Sequence, residues 1–472
     1  MLIAGRDSIR GWLRAFPALP TTPILIVGGL LMWVGIARAQ VSYDNGLDTV
    51  FAHSSTSPLW VSGQVNSIFQ WNPRFPAQYS GTNSFVNASK AADTVVFTLY
   101  TGLQLTRTTE ILVDGESAGG SPLSDALGLG GFTNEDAQRD PSLAWTPYFA
   151  RAEIHQVISL GSETDSVERT PLSLLTTLPS RRIDLYAGEF TLSDYFDSNA
   201  VAGNDHMQFM NWAVDDTGSY DYAGDTRGYT WGGVIDFVDR WWTFRFGEVL
   251  NSKRPNGITL QKNLQDAHSE NYELEFQPAL LAGRDTDIHF LGFTNFGNFG
   301  DFHQANELFL EGKTSTPDIN AHPQQVALKY GFAFNAEQDL TEYLRGFVRA
   351  GWSDGQQQTW EYAEVDQSIA FGGDLQGTLW HRPRDKFGVA FVGNGIANDH
   401  RKYLSLGGLG LNLGDGALDY GAEKIMETYY NFPIPIHNGL FAALDIQYID
   451  NPGYNRARGP VLVVSTRIHI EL

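Results

Sequence analysis

The chain has 472 residues, a formal net charge of −22, 13% aromatic residues and no cysteine. The missing cysteines exclude a disulfide scaffold, and also a lipid-anchored lipoprotein, whose anchor needs a cysteine just after its signal. The negative charge argues against nucleic-acid binding, which needs a basic face; solvated outer loops account for it most simply, and an acidic vestibule that disfavours anions is the sharper reading.

The first element is an export signal. Arg6, Arg10 and Arg14 precede an apolar run from Pro23 to Ile36, and Ala37-Arg38-Ala39 supplies a small-x-small cleavage site. Residues 1–39 are expected to be removed, leaving 40–472 as one domain. The lost segment carries four arginines against Asp7, so the mature chain is more negative still. Beyond it no run of eighteen apolar residues occurs, and no transmembrane helix is expected.

Sixteen runs of strand period follow, at 60–71, 94–105, 109–116, 147–160, 181–190, 226–238, 240–251, 271–282, 286–297, 324–335, 342–353, 363–378, 386–396, 423–433, 440–449 and 459–472. Connections after odd-numbered runs are long (72–93, 117–146, 191–225, 252–270, 298–323, 397–422). Those after even-numbered runs are short, with 161–180 as the exception. The rhythm predicts an all-β fold: a transmembrane antiparallel β-barrel of sixteen strands, with long extracellular loops, short periplasmic turns and both termini periplasmic. Two further strands within 191–225 would instead favour an eighteen-stranded exporter of an acidic, alginate-type polysaccharide.

Alternation then assigns faces. In 148–156, Arg151, Glu153 and His155 share the polar side; in 272–277, Glu273 and Glu275 oppose Tyr272, Leu274 and Phe276. Lys329 stands opposite Leu328 and Tyr330, and Arg345 and Arg349 opposite Leu344 and Val348. Asp445 and Gln447 share the polar side of 440–449, as do Ser465, Arg467, His469 and Glu471 of the last run. On this parity Arg151, Glu153, His155, Glu273, Glu275, Lys329, Arg345, Arg349, Asp445, Gln447 and Arg467 are pore-lining candidates. A soluble sandwich also alternates, with its apolar face inward; the signal, the aromatic content and the loop rhythm favour the membrane.

Other motifs weigh less. Gly115-Glu116-Ser117-Ala118-Gly119 fits G-x-S-x-G, but the nucleophile elbow needs a helix after the serine, and Gly119-Gly120-Ser121-Pro122 follows. A β-rich outer-membrane esterase is therefore the weaker alternative. Gly408 to Gly414 lacks the spacing of a phosphate loop. The eleven histidines form no H-E-x-x-H, so neither a metal nor a cofactor is expected.

Several stretches resemble the carbohydrate-selective porins of the OprB family. Gly63-Gln64, Gln70, Phe75, Tyr79-Ser80-Gly81 and Asn83-Ser84 look like that family's opening. Glu116 to Gly120 and Gly128 to Asn134 resemble its second outer loop, which supports a loop at Ser117. Gly188-Glu189-Phe190, Asp194 to Asn199 and Phe209-Met210-Asn211-Trp212 form the most specific stretch, and Gln447-Tyr448-Ile449 with Asn451-Pro452-Gly453 is similar to the ending. A terminal Leu472 departs from the aromatic that ends many such barrels. The resemblance implies uptake of small neutral saccharides by diffusion, with outer-membrane lipids and the barrel assembly machinery as partners. It leaves monomer and homo-oligomer open.

Overall fold

Side chains of successive strand residues point to opposite faces, and in this chain the two faces are filled in an unusual way. Along the last strand every odd residue from Val461 to Glu471 is buried, including Ser465, Arg467, His469 and Glu471. The even residues Leu462, Thr466 and Ile468 are exposed. The polar face is therefore the covered one and the apolar face the outer one, the reverse of a soluble sandwich and the arrangement a lipid solvent demands.

The computed structural model describes residues 49–138, 140–281, 283–321 and 326–472. The export signal and the first two residues of run 324–335 lie outside them. The strands are β1 (Leu59–Asn72), β2 (Lys90–Gln104), β3 (Thr109–Ser121), β4 (Tyr148–Ser159), β5 (Thr164–Ser166), β6 (Thr177–Pro179), β7 (Arg182–Phe190), β8 (Thr230–Asp239), β9 (Trp242–Leu250), β10 (His268–Phe276), β11 (Thr286–Gly297), β12 (Ala327–Asp339), β13 (Leu344–Ser353), β14 (Gln367–Gln376), β15 (Lys386–Gly395), β16 (Glu423–Pro433), β17 (Leu440–Asp450) and β18 (Val461–Glu471). All except β5 and β6 form one closed antiparallel barrel of sixteen strands. Closure comes from β1 against β18, with Gln64 opposite Glu471 and Ser67 opposite Ile468.

All sixteen runs read from the sequence correspond to barrel strands. No strand lies within 191–225 among the described residues, which removes the eighteen-stranded alternative. The exceptional join holds a separate small hairpin, in which Thr164 pairs with Pro179. It packs under the barrel: Leu174 is fully buried with Trp60 and Leu112, and its amide donates to Glu110 Oε2 at 2.7 Å.

Short turns close one end. Gly439, between β16 and β17, has φ +74°, and a Cβ there would collide with the Glu471 carbonyl, so the turn requires glycine. Val50 and Leu472 lie at this same end, with Val50 N donating to Glu471 O at 2.8 Å and Leu472 N to Gly63 O at 2.7 Å. On the outer face aromatic side chains pair across strands, as Phe290 with Phe334 at 5.4 Å and Phe371 with Phe391 at 5.6 Å between ring centroids. Among the described residues no helix is long and apolar enough to cross a membrane; this says nothing of a barrel, which crosses with strands.

The core sits inside the barrel, where outer loops fold back against the wall. One buried cluster joins Phe85, Leu129, Phe209 and Val214 of the loops to Phe347, Ile425, Tyr429 and Val463 of the strands. A second joins Phe132, Phe196, Trp212, Tyr222 and Tyr362 to Val234 and Phe293. Each such side chain, withdrawn from water, contributes about 1.5–3 kcal/mol, enough to hold the loops in the lumen rather than in solvent.

Candidate functional site

Segments 122–147 and 191–229 fold back into the barrel and pack against its wall. The longer one carries a single helical turn, α1 (Trp212–Asp215), capped by Asn211, whose side chain accepts from Ala213 N. Polar residues from distant strands tie it in place. Arg349 of β13 donates through Nη1 to the carbonyls of Ala202 and Val214, and through Nη2 to Asp197 O at 2.9 Å. Arg467 of β18 donates to the Asp205 and Gln208 carbonyls. Glu427 accepts from Met210 N at 2.6 Å. Gln447 donates to Thr133 O at 2.8 Å and accepts from Asn211 Nδ2 at 2.9 Å, bridging the two loops.

The remaining candidates read from parity are also engaged. Arg151 meets Asp114 (3.1 Å), Glu153 (2.8 Å) and Asp194, and Tyr195 donates to Glu153 at 2.6 Å. His155 lies between Glu110 and Asp184, at 2.7 and 3.4 Å. Glu273 accepts from Arg245 at 2.7 Å and from Asp197 N at 2.8 Å, while Glu275 stands 3.6 Å from the same guanidinium. Lys329 pairs with Asp221 at 2.9 Å, and Arg345 with Asp374. Asp445 stands 3.4 Å from both Gln447 and Ser465. These side chains stitch wall to wall or wall to loop, and of the eleven candidates only Arg349 reaches the cavity left between the loops.

That cavity has a volume of about 470 Å³ and is lined by Glu135, Asp194, Asp197, Asp205, Asp215 and Asp216 from the loops, with Asp287, His289, Glu337 and Arg349 from the wall. This lies within the roughly 300–1,000 Å³ of small-molecule sites. Most of the acids have donors. Thr217 gives Asp197 both N–H and O–H, at 2.6 and 2.9 Å, and Ala200 N donates to Glu337. His206 lies 3.0 Å from Asp136 and 3.6 Å from Asp205, with its other nitrogen 3.0 Å from Gln64 Oε1.

The electrostatics follow. Burial disfavours the charged His206 ring, but the Asp205 and Asp136 carboxylates prevail and hold its pKa at about 10. Burial pushes Asp205 up to about 6 despite His206, whereas for Asp136 the same burial is overcome by His206, which draws it below the usual carboxylate range. Burial, then the Asp197 charge, pushes Asp216 up to about 7. Glu135 and Asp215 are driven well above the usual range, by burial first and then by neighbouring acids.

Asp136, Asp205 and His206 bring ligand-type atoms within 4.8 Å of one another, as do Glu273, Glu275 and His289. Arg245 already occupies the second group. Parity could not reveal Glu135, Asp205, Asp215 or Asp216, because they lie outside the strands, Asp215 in the helical turn α1. Arg245 was accessible to it, sharing a face with Thr243 and Gly247. Ser117, expected in an outer loop, instead sits within β3 opposite Phe97, because the strand runs on to Ser121; it lies in extended chain rather than at a strand-to-helix turn.

Comparison with known proteins agrees with this architecture. Among solved structures the chain is similar to the high-pH structure of Pseudomonas putida OprB, at 16% identity and a TM-score of 0.65, over 88% of this chain and 94% of that one. The low-pH structure of the same protein gives 12% identity and a TM-score of 0.47, over 88% and 93%. The outer membrane channel DcaP of Acinetobacter baumannii gives 10% and 0.45, over 90% and 100%. No curated protein matches. A family model described as carbohydrate-selective porin, OprB family, matches residues 150–472, leaving the similar motifs between 63 and 134 outside the matched span. With more than half of its length matched, the chain belongs to the carbohydrate-selective porin, OprB family.

Proposed function

We propose that this outer-membrane porin passes small neutral saccharides by passive diffusion, without catalysis, after export directed by residues 1–39. The observation that carries the reading is the cavity of about 470 Å³ between loops 122–147 and 191–229, which presents carboxylates and the Arg349 guanidinium to the same space. Sugars are uncharged and rich in hydroxyls. Carboxylates accept from hydroxyls and guanidinium donates to them, so a path with both signs offers hydrogen bonds along its length. Arg349 is the parity candidate that meets the solute, beside Asp287, His289 and Glu337 of the wall; the other parity candidates brace the wall or hold the loops that shape the path.

Swelling of liposomes carrying the purified barrel tests the proposal. Glucose and a disaccharide are expected to enter well above the rate of protein-free liposomes, with the monosaccharide faster. Entry at the protein-free rate counts against transport. The esterase alternative has its own discriminator: ester hydrolysis by the purified barrel that disappears in Ser117→Ala would overturn the channel reading.

A further inference from the structure

The inward residues of β2, β3 and β4 divide into covered and open ones. Thr98, Asp114, Arg151 and Glu153 are buried. Tyr100, Glu116 and Tyr148 are half-buried and keep surface towards the lumen, as does Tyr229 just before β8.

Glu116 stands at the centre of this group. The Tyr148 hydroxyl donates to its Oε1, the Tyr229 hydroxyl lies 3.3 Å from both oxygens, and Thr98 donates to Oε2 at 3.0 Å. Across β2 and β3, Thr98 is opposite Glu116 and Tyr100 opposite Asp114. Tyr100 is thus the diagonal neighbour of Glu116, a spacing that aromatic side chains bridge. Arg227 covers the Tyr148 ring at 4.1 Å from its centroid, and the Tyr148 and Tyr229 rings lie 5.9 Å apart. Tyr100 differs from both: it has neither a hydrogen-bond nor a ring partner among the described residues. A covered tyrosine hydroxyl ordinarily finds a partner, so an inward tyrosine with hydroxyl and ring both unused is set up to meet something in the lumen.

We propose that Tyr100, flanked by Tyr229 and Glu116, is a stacking platform for the C–H face of a pyranose ring. This rests on the reading of the barrel as a saccharide channel. A pyranose has two unlike surfaces, a rim of hydroxyls and two faces that carry C–H groups. None of the described residues lining the cavity is aromatic, so the cavity serves the rim alone. The face of an aromatic ring is negative and attracts the slightly positive C–H groups, while the phenol hydroxyl both donates to and accepts from the rim. The two places adjoin, because Arg151 pairs with Asp114, opposite Tyr100, and also with Asp194 of the cavity lining. Glu116, already accepting from Thr98, Tyr148 and Tyr229, is a positioning residue that holds the phenols in place.

The test compares glucose with sorbitol, an acyclic polyol of similar size and hydroxyl content that has no ring to stack. In liposomes carrying the parent barrel, at concentrations well below saturation, glucose is expected to enter about fivefold faster than sorbitol. Tyr100→Phe keeps most of that ratio, whereas Tyr100→Leu, apolar but without a ring, brings it towards one; heat-dependent gel migration checks that each variant folds. An unchanged ratio in Tyr100→Leu overturns the platform. So does a ratio lost equally in Tyr100→Phe, which would assign the preference to the hydroxyl. If the parent admits glucose and sorbitol at equal rates, the platform is overturned and the channel reading stands; if neither enters, the channel reading itself fails.

Discussion

Arg349 and His206 illustrate two kinds of loop anchor. Arg349 is 1% exposed and its planar fork reaches three loop carbonyls and the Asp197 carboxylate at once. Arg349→Met takes the guanidinium donor from the Ala202 and Val214 carbonyls, whereas Asp197 keeps Thr217 and Asn335; the loss is expected to cost on the order of 3 kcal/mol. Proteolysis within 191–229 should become faster and single-channel current noisier. Arg349→Lys should not restore the parent behaviour, because a point charge cannot satisfy divergent acceptors. His206 works by charge. Its folded value of about 10 lies above the roughly 6.5 of a free imidazole. The stabilisation it gives is thus complete below about 6.5 and is lost as pH rises through 10. Channel noise should rise between pH 8 and 10.5 in the parent and be pH-independent over that window in His206→Ala.

At the scale of elements, the two faces of a strand obey different solvents. Leu444 of β17 is exposed on the outer face and its neighbour Asp445 is buried on the inner one. Leu444→Arg should destabilise the barrel in lipid by about 2–4 kcal/mol, read as a lower urea midpoint in vesicles; an unchanged midpoint would mean the assigned faces are exchanged. These strands were legible because their period is two and one face is apolar. Even so, Asp114/Gly115 opposite Phe149 and Arg151 forms a bulge, which puts Ala150 and Arg151 inward together and breaks parity locally. The β5–β6 hairpin had no such signature, being three residues a side with β5 fully exposed. Asp205, Asp215 and Asp216 of the cavity were illegible for a deeper reason: the chain between the strands has no period of two, and what places these acids is a set of tethers from strands far along the sequence. The family-like segments 194–199 and 209–212 did point to that loop and contain Asp194 and Asp197, though not Asp205, Asp215 or Asp216.

For the whole molecule, a formal charge of −22 and a cavity with more carboxylates than cations predict a cation-preferring leak. Reversal potentials under a potassium chloride gradient should be cation-selective at 0.1 M and much less so at 1 M, where the Debye length shrinks from about 10 to 3 Å. Selectivity that persists at 1 M would locate the charge deep in the cavity rather than on the outer loops. The tethers also impose an order of events on biogenesis. Loop 191–229 is held by residues 135–152 positions away at Arg349, 216 or 217 at Glu427 and 259 or 262 at Arg467. Contacts so remote in sequence form late, after the intervening chain is in place. The loop therefore finds its seat only once β18 has met β1. A barrel caught before that seam closes has its wall but not its filter, and insertion and closure must be coupled tightly enough that such a leaky ring never accumulates.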